Sequence, residues 1–519
     1  MRTRLIAAAA ALALVVIAPA GAAASSPYPY RSQAAPLVTL VNPGADWELV
    51  PIIDSGTELE DGFMFSGIPD GIGAMPGPDD GTVDVFVNHE ESHVPFANLA
   101  DLQDSSVSRL TLDTDTADVL AAEVALDPGL GFMRFCSATM AGPNEGLDRY
   151  VFFTNEETND VVPVPAGAPY GADPATAPDR QGGYAVALDP SDDSVHLLAG
   201  AGRHNHENDM VVPGGWDQIA VLSGDDTFFT TAAGGPTQPQ WSQLYLDLAD
   251  DEDALLADEG TLWAFRVTAT DEGKVDAADP FNGANDYGDI ASGDHWQGRF
   301  IRVPDRIARG LTGVRPQEAL ENWSNANNVF QFIRVEDTSY DPNDPRIVYL
   351  SDTGDGRMVP DPATGRLTRG PSGTLGSYPN GRVYRLAFNP DNPRRVDDFS
   401  ILLNPDLGGR NNPNVLHQPD NMGTSANSLM VQEDTSQLPG SRVWRYDFAT
   451  QTWAVVAAVQ NGTANESSGI VDASEWFGDG AWLLDVQQHD TFVASEPGPN
   501  GTTLKREGGQ LLLLRIPGS

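Results

Sequence analysis

The chain has 519 residues, 74 acidic and 30 basic side chains, a formal net charge of −44 and one cysteine, Cys136. That balance argues against DNA or RNA as a partner, because nucleic-acid affinity rests on cationic groups that release counterions. A lone cysteine excludes an internal disulfide, so stability has to come from packing or from bound metal.

Residues 1–24 begin basic, run apolar and end on Ala22-x-Ala24, the pattern of a cleaved export signal. The mature chain is then residues 25–519, secreted or periplasmic. No later stretch approaches the roughly 20 continuous apolar residues of a membrane-spanning helix, so we expect a monomer without a membrane span. The runs "PLVTLV" (36–41) and "WELVPII" (47–53) are predicted strands, placed to pair with a terminal blade and close a ring.

From residue 70 onward helical periodicity is scarce, and short apolar runs bounded by Gly, Pro, Asp and Asn point to an all-β fold. The runs recur as a three-part unit: a short polar element, an apolar run ending on acids or amides, then an alternating run. The units are "DGIGA" (70), "VDVFVNHEE" (83–91), "SRLTLD" (108–113); then "CSAT" (136), "RYVFFTNEE" (149–157), "GYAVALD" (183–189). The third and fourth are "HNHE" (204), "QIAVLSGDD" (218–226), "GTLWAFRV" (260–267); and "RVED" (334), "RIVYLSDTGD" (346–355), "GRVYRLAF" (381–388). The last two are "QPDN" (418), "SLMVQED" (428–434), "SRVWRYDF" (441–448); and "ESSG" (466), "AWLLDVQQHD" (481–490), "GQLLLLRI" (509–516). Six such units predict a single six-bladed β-propeller with variable loop insertions, in which the polar elements are the innermost strands.

Convergence on one axis would gather Asp70, Cys136, His206, Glu207, Arg334, Glu336, Asp337, Asp420 and Asn421. Strand ends would add Asn88, Glu90, Glu156, Glu157, Asp226 and Asp434. Carboxylates crowded in low dielectric protonate, separate or bind cations, and metal is the economical outcome. Carboxylates and amides suit calcium, whereas a thiolate and an imidazole among carboxylates suit iron, manganese or zinc. On spacing alone Cys136 also reads as an inert buried thiol, and Arg334 reads equally as a salt-bridge partner of Glu336 and Asp337 or as a grip on an oxyanion. The chain has no G-x-S-x-G elbow, no H-E-x-x-H and no phosphate-cradling G-x-x-x-x-G-K-[ST].

The pieces "DGIGAMPGPDDGTVDVFVNHEE", "FCSATM", "FFTNEE", "GRHNHE", "VLSGDD", "FIRVEDTSYDP" and "QPDN", in that order over about residues 70–490, resemble the PhoX-type alkaline phosphatases. The resemblance implies a six-bladed propeller that hydrolyses small phosphomonoesters at a cluster of Fe3+ and Ca2+. It implies that Cys136 is the thiolate ligand and that His206, Glu207, Glu336, Glu156, Asp420 and Asp434 are further metal ligands. Arg334 would grip the phosphate and Asn88 would approach it. The chain has Val335 where the family commonly has proline, and its start, Arg2-Thr3-Arg4, is not a twin arginine. Two other readings are a calcium-bound extracellular propeller without catalysis and a propeller hydrolase of another class, a lactonase or a phytase-like enzyme.

Overall fold

The computed structural model describes residues 25–95, 98–159, 161–163, 179–227, 242–279, 282–361, 366–434, 440–460 and 465–519. The export-signal segment lies outside them. Among the described residues the protein is all-β, built of several antiparallel sheets with a few short helices, and no helix is long and apolar enough to cross a membrane.

Each polar element forms a strand: Pro69–Pro76, Phe135–Ala141, His206–Val211, Val335–Asp341, Pro419–Thr424 and Asn465–Asp472. Each pairs antiparallel with the apolar strand that follows it: Thr82–His89, Val151–Glu156, Ile219–Asp225, Asp344–Asp352, Ser428–Glu433 and Ala481–Pro497. A third and a fourth strand complete each unit. In the last unit the fourth strand is Glu48–Asp54 from the other end of the chain, paired with Thr503–Arg515. The second early run, Val38–Leu40, pairs one unit earlier, with Thr452–Val459.

The apolar runs place apolar residues at successive positions because both faces of these strands are buried. Val83, Val85 and Val87 enter one core with Leu483 and Leu511 of the last sheet, while Phe86 between them enters another with Phe152 and Val186 of the second sheet. Leu511 and Leu513 likewise pack toward the first sheet, and Leu512 and Leu514 toward Met430 and Val443 of the fifth. Each such side chain stabilises the fold by about 1.5–3 kcal/mol, and the alternation sends that energy into two interfaces at once.

The six polar strands touch in a ring: Pro69–Pro76 meets Phe135–Ala141, then His206–Val211, Val335–Asp341, Pro419–Thr424 and Asn465–Asp472, which returns to Pro69–Pro76. Every one carries a register shift. The shifts fall between Pro69 and Ile72, Phe135 and Ala138, His206 and Asp209, Val335 and Thr338, Pro419 and Met422, and Ser468 and Ile470. A bulge leaves residues unpaired and re-aims their side chains. In five strands the unpaired residue that comes first is Asp70, Cys136, Glu207, Glu336 or Asp420.

Two features depart from the sequence expectation. In the third unit Leu244–Ala249 intervenes between Ile219–Asp225 and the "GTLWAFRV" strand, which becomes the outer strand Thr261–Thr270. That long strand continues through Trp296–Arg302 to Asn392–Leu403, so the third and fourth sheets merge into one of ten strands. A shared aromatic core that includes Phe265, Phe300, Phe330, Phe332, Tyr384 and Phe399 holds them together.

Candidate metal centre

The bulges bring their side chains to one place. Ligand atoms of Cys136, Glu157 and Glu207 lie within 4.8 Å of one another, and so do those of Glu207, Glu336 and Asp420. Glu207 belongs to both groups. It is fully buried, its Oε1 accepts from the Ser137 amide at 3.4 Å, and its Oε2 has no hydrogen-bond partner among the described residues.

Burial first, and mutual repulsion second, push Glu157, Glu207 and Asp420 well above the ordinary carboxylate range. Burial does the same to Glu336, against the opposing pull of Arg334. The Cys136 thiol is raised by burial and by Asp70, Glu207 and Glu157. Around this centre burial raises Asp70 to about 6, Glu90 to about 8 and Glu466 to about 7. Such a set binds protons when alone and exchanges them for cations when these are present. One thiol among carboxylates, with an orphaned buried oxygen at the middle, is a donor set that fits metal ions: sulfur and oxygen on one side, oxygen only on the other.

Arg334 borders the oxygen-only side. Its Nε and Nη2 donate to Asp226, with contacts of 2.9 and 2.8 Å, Nη2 lies 3.1 Å from Glu336 and Nη1 lies 3.5 Å from Asp434. Although burial works against its charge, these three acids hold the guanidinium well above its ordinary pKa. Asp226 is fully buried, and Asp434 is partly exposed at the rim.

Three expected site residues go elsewhere. Glu156 accepts from the Met133 and Tyr184 amides at 3.1 and 3.3 Å, and its neighbour Glu157, pointing the other way from the strand end, reaches the cluster instead. Asn88 donates to the Cys136 carbonyl and to Thr154 Oγ1 at 3.0 Å and accepts from the Gly71 amide at 2.8 Å. Its amide ties the first two sheets together. His206 places Nδ1 3.0 Å from Ser223 Oγ and 3.3 Å from Asp209, and Nε2 3.1 Å from the Gly202 carbonyl, so both ring nitrogens are engaged away from Cys136. His204, though in a loop, is fully buried and stacks on His206 with ring centroids 3.7 Å apart.

The structure also adds groups that the pattern did not single out. His489 lies 3.4 Å from Glu466 and 3.2 Å from Glu507, which in turn lies 2.8 Å from Lys505. These groups form a file of charge that starts at Glu466. On the far side of the same strands a separate cavity of about 320 Å³ opens, lined by residues that include Thr139, Tyr150, Ser339, Tyr340, Gly423 and Trp476. A polar layer divides it from the metal centre: Asn208 donates to Asp337, Asn421 to Ser137 at 2.8 Å, and Ser468 to Asn421 at 3.1 Å.

No family model and no curated protein matches the chain. Among solved structures it is similar to PhoX of Pseudomonas fluorescens, determined with vanadate, a transition-state analogue. The identity is 15%, the match covers 92% of this chain and 96% of that one, and the TM-score is 0.62. It also aligns with a protein of unknown function from Dyadobacter fermentans at 11% identity over 93% of this chain and 100% of that one, with a TM-score of 0.41. The likeness to PhoX is one of fold, and it extends over nearly the whole of both chains.

Proposed function

We propose that residues 25–519 form one six-bladed β-propeller, exported by the segment before it, and that the axial cluster makes it a metal-dependent phosphomonoesterase. The observation that carries this reading is the position of Arg334, a guanidinium beside a cluster of thiol and carboxylates that would hold cations. Cys136, Glu157 and Glu207 suit an ion that accepts sulfur, such as Fe3+, and Glu207, Glu336 and Asp420 suit Ca2+. Bound cations would supply Lewis-acid polarisation of the phosphoryl oxygens. Arg334 then binds and orients the phosphate: its 3.5 Å contact to Asp434 is the longest of its ion pairs with Asp226, Glu336 and Asp434 and is the one an anionic oxygen would replace. Asp226 and Glu336 hold the remaining guanidinium nitrogens and so fix its plane.

A specific observation favours a second reading, a cation-binding propeller without catalysis: the Arg334 guanidinium already meets three acids, as a structural ion pair would. One experiment separates the two. Elemental analysis of the purified mature chain is combined with hydrolysis of an aryl phosphate, with and without a calcium chelator. Iron and calcium together with chelator-sensitive turnover support the phosphatase. Calcium alone without turnover removes it in favour of the second reading.

A further inference from the structure

The last sheet contains a buried carboxylate that the cluster does not use. Asp485 is fully buried, both of its oxygens lack a hydrogen-bond partner among the described residues, and the one charge that acts on it is that of Asp70. It lies opposite Ser468 on one side and Leu511 on the other, within the strand Ala481–Pro497. A carboxylate left in apolar surroundings without a donor costs several kcal/mol, and a protonated one would still need an acceptor for its hydrogen.

Other orphaned oxygens accompany it. Leu483, two residues before Asp485, packs into the core shared with the first sheet, so the same face carries Asp485 and, two residues later, Gln487 toward that sheet. Gln487 Nε2 donates to Asp70 Oδ2 at 2.9 Å and to Glu90 at 3.2 Å, whereas Gln487 Oε1 and Asp70 Oδ1 are both buried and unpartnered. The surrounding backbone is tightly closed. A Cβ on Gly469 would fall 2.1 Å from the Asp70 carbonyl oxygen, and one on Gly509 would fall 2.3 Å from Pro69 Cδ. These two positions admit only glycine, and they press the first and last sheets together around the oxygens.

We infer that Asp70, Asp485 and Gln487 form a second hard-cation site, of the calcium class, in the seam between the first and last sheets and apart from the Cys136 cluster. Two carboxylates balance one dication, and the amide oxygen is a third ligand of the kind calcium takes, with backbone carbonyls and water able to complete the shell. No thiol or imidazole is needed. Asp70 is the hinge between the two sites, because its Oδ2 lies 3.4 Å from Cys136 Sγ while its Oδ1 remains for the seam. The site would staple the sheet that pairs Glu48–Asp54 with the last strand, Thr503–Arg515, to the sheet that opens the ring. Its role would therefore be closure of the fold rather than turnover.

The test is the calcium and iron content of the purified full chain and of Asp485→Asn, with thermal midpoints before and after chelation. The expected result is loss of about one equivalent of calcium per chain, unchanged iron, and a smaller drop in midpoint on chelation than in the parent chain. Unchanged calcium content together with an unchanged chelation shift overturns the inference and makes Asp485 a neutral buried acid. Should Asp485→Asn not fold, Gln487→Met takes its place. It is expected to raise the calcium concentration for half-maximal thermal stabilisation of the metal-free chain at least tenfold, and no change overturns the inference. The outcome is independent of catalysis: Cys136→Ala should lose iron and keep this calcium, whether or not the protein hydrolyses phosphate.

Discussion

Arg334 is the residue on which both structure and chemistry depend, and its two roles can be separated. Arg334→Ala leaves Asp226 fully buried without the guanidinium that donates hydrogen bonds to both of its oxygens. Removing one member of a buried pair costs about 3–5 kcal/mol, because the remaining charge stays uncompensated. Asp226 also acts on Glu157 and Glu336, so the loss spreads into the cluster. The double variant Arg334→Ala, Asp226→Asn removes the stranded charge and should recover most of that stability, read as the urea midpoint at constant slope. Turnover should not recover, because nothing in the double variant grips the phosphate; kcat/KM on an aryl phosphate should stay at least a hundredfold below the parent, which is about 2.7 kcal/mol of lost transition-state binding. A double variant that regains both stability and turnover would refute the assignment of the phosphate to Arg334. A single variant as stable as the parent would show that Asp226 is not charged in the fold.

Three further outcomes are expected. Cys136→Ala should lose iron by elemental analysis while its far-ultraviolet β spectrum is retained; unchanged iron removes the thiol from the ligand set. Leu512→Ala and Leu513→Ala should each cost about 2–5 kcal/mol by urea denaturation, since neighbouring residues fill different cores, and a silent variant on either face would mean that face is not packed as described. Glu91, buried beside Ser66 and Gln103, is raised by burial to about 8. An acid with a raised pKa in the fold binds its proton more tightly there than in the unfolded chain. Its contribution is full below about pH 4.5 and is lost as pH rises to about 8. The slope amounts to ~4 kcal/mol between pH 5 and 8. Glu91→Gln should flatten that part of the pH–stability curve, and an unchanged slope would place the titration on other groups.

The three-part unit was legible because each part has a physical signature. A strand buried on both faces is apolar at successive positions, as at Leu511, Leu512, Leu513 and Leu514, and a strand at the centre of a ring can be polar because its side chains face one another. What stayed hidden was direction. Glu156 and Glu157 are chemically alike, and which of them meets Cys136 depends on the phase of a strand end that composition does not reveal. His206, expected as a ligand beside Glu207, is instead occupied by Ser223, Asp209 and the Gly202 carbonyl, and His204 is stacked upon it. The fusion of the third and fourth sheets depends on Trp296–Arg302, which lies far in sequence from the strand Asn392–Leu403 that it joins.

The repeated bulge explains why a cluster can form at all. In a regular strand, residues alternate between faces, and one residue per strand would reach the centre only where the pleat allowed it. Placing the shift directly after Pro69, Phe135, His206, Val335 and Pro419 gives five strands the same local geometry, so Asp70, Cys136, Glu207, Glu336 and Asp420 arrive at one level. The sixth strand shifts later, between Ser468 and Ile470, and Glu466 precedes the shift instead of occupying it. That exception coincides with the seam where the chain ends meet and where Asp485 and Gln487 come forward from the second strand of that sheet. Five strands thus contribute to the centre by bulging, whereas the sixth brings Glu466 to it from before its shift, beside the seam that holds the unpartnered oxygens of Asp70, Asp485 and Gln487.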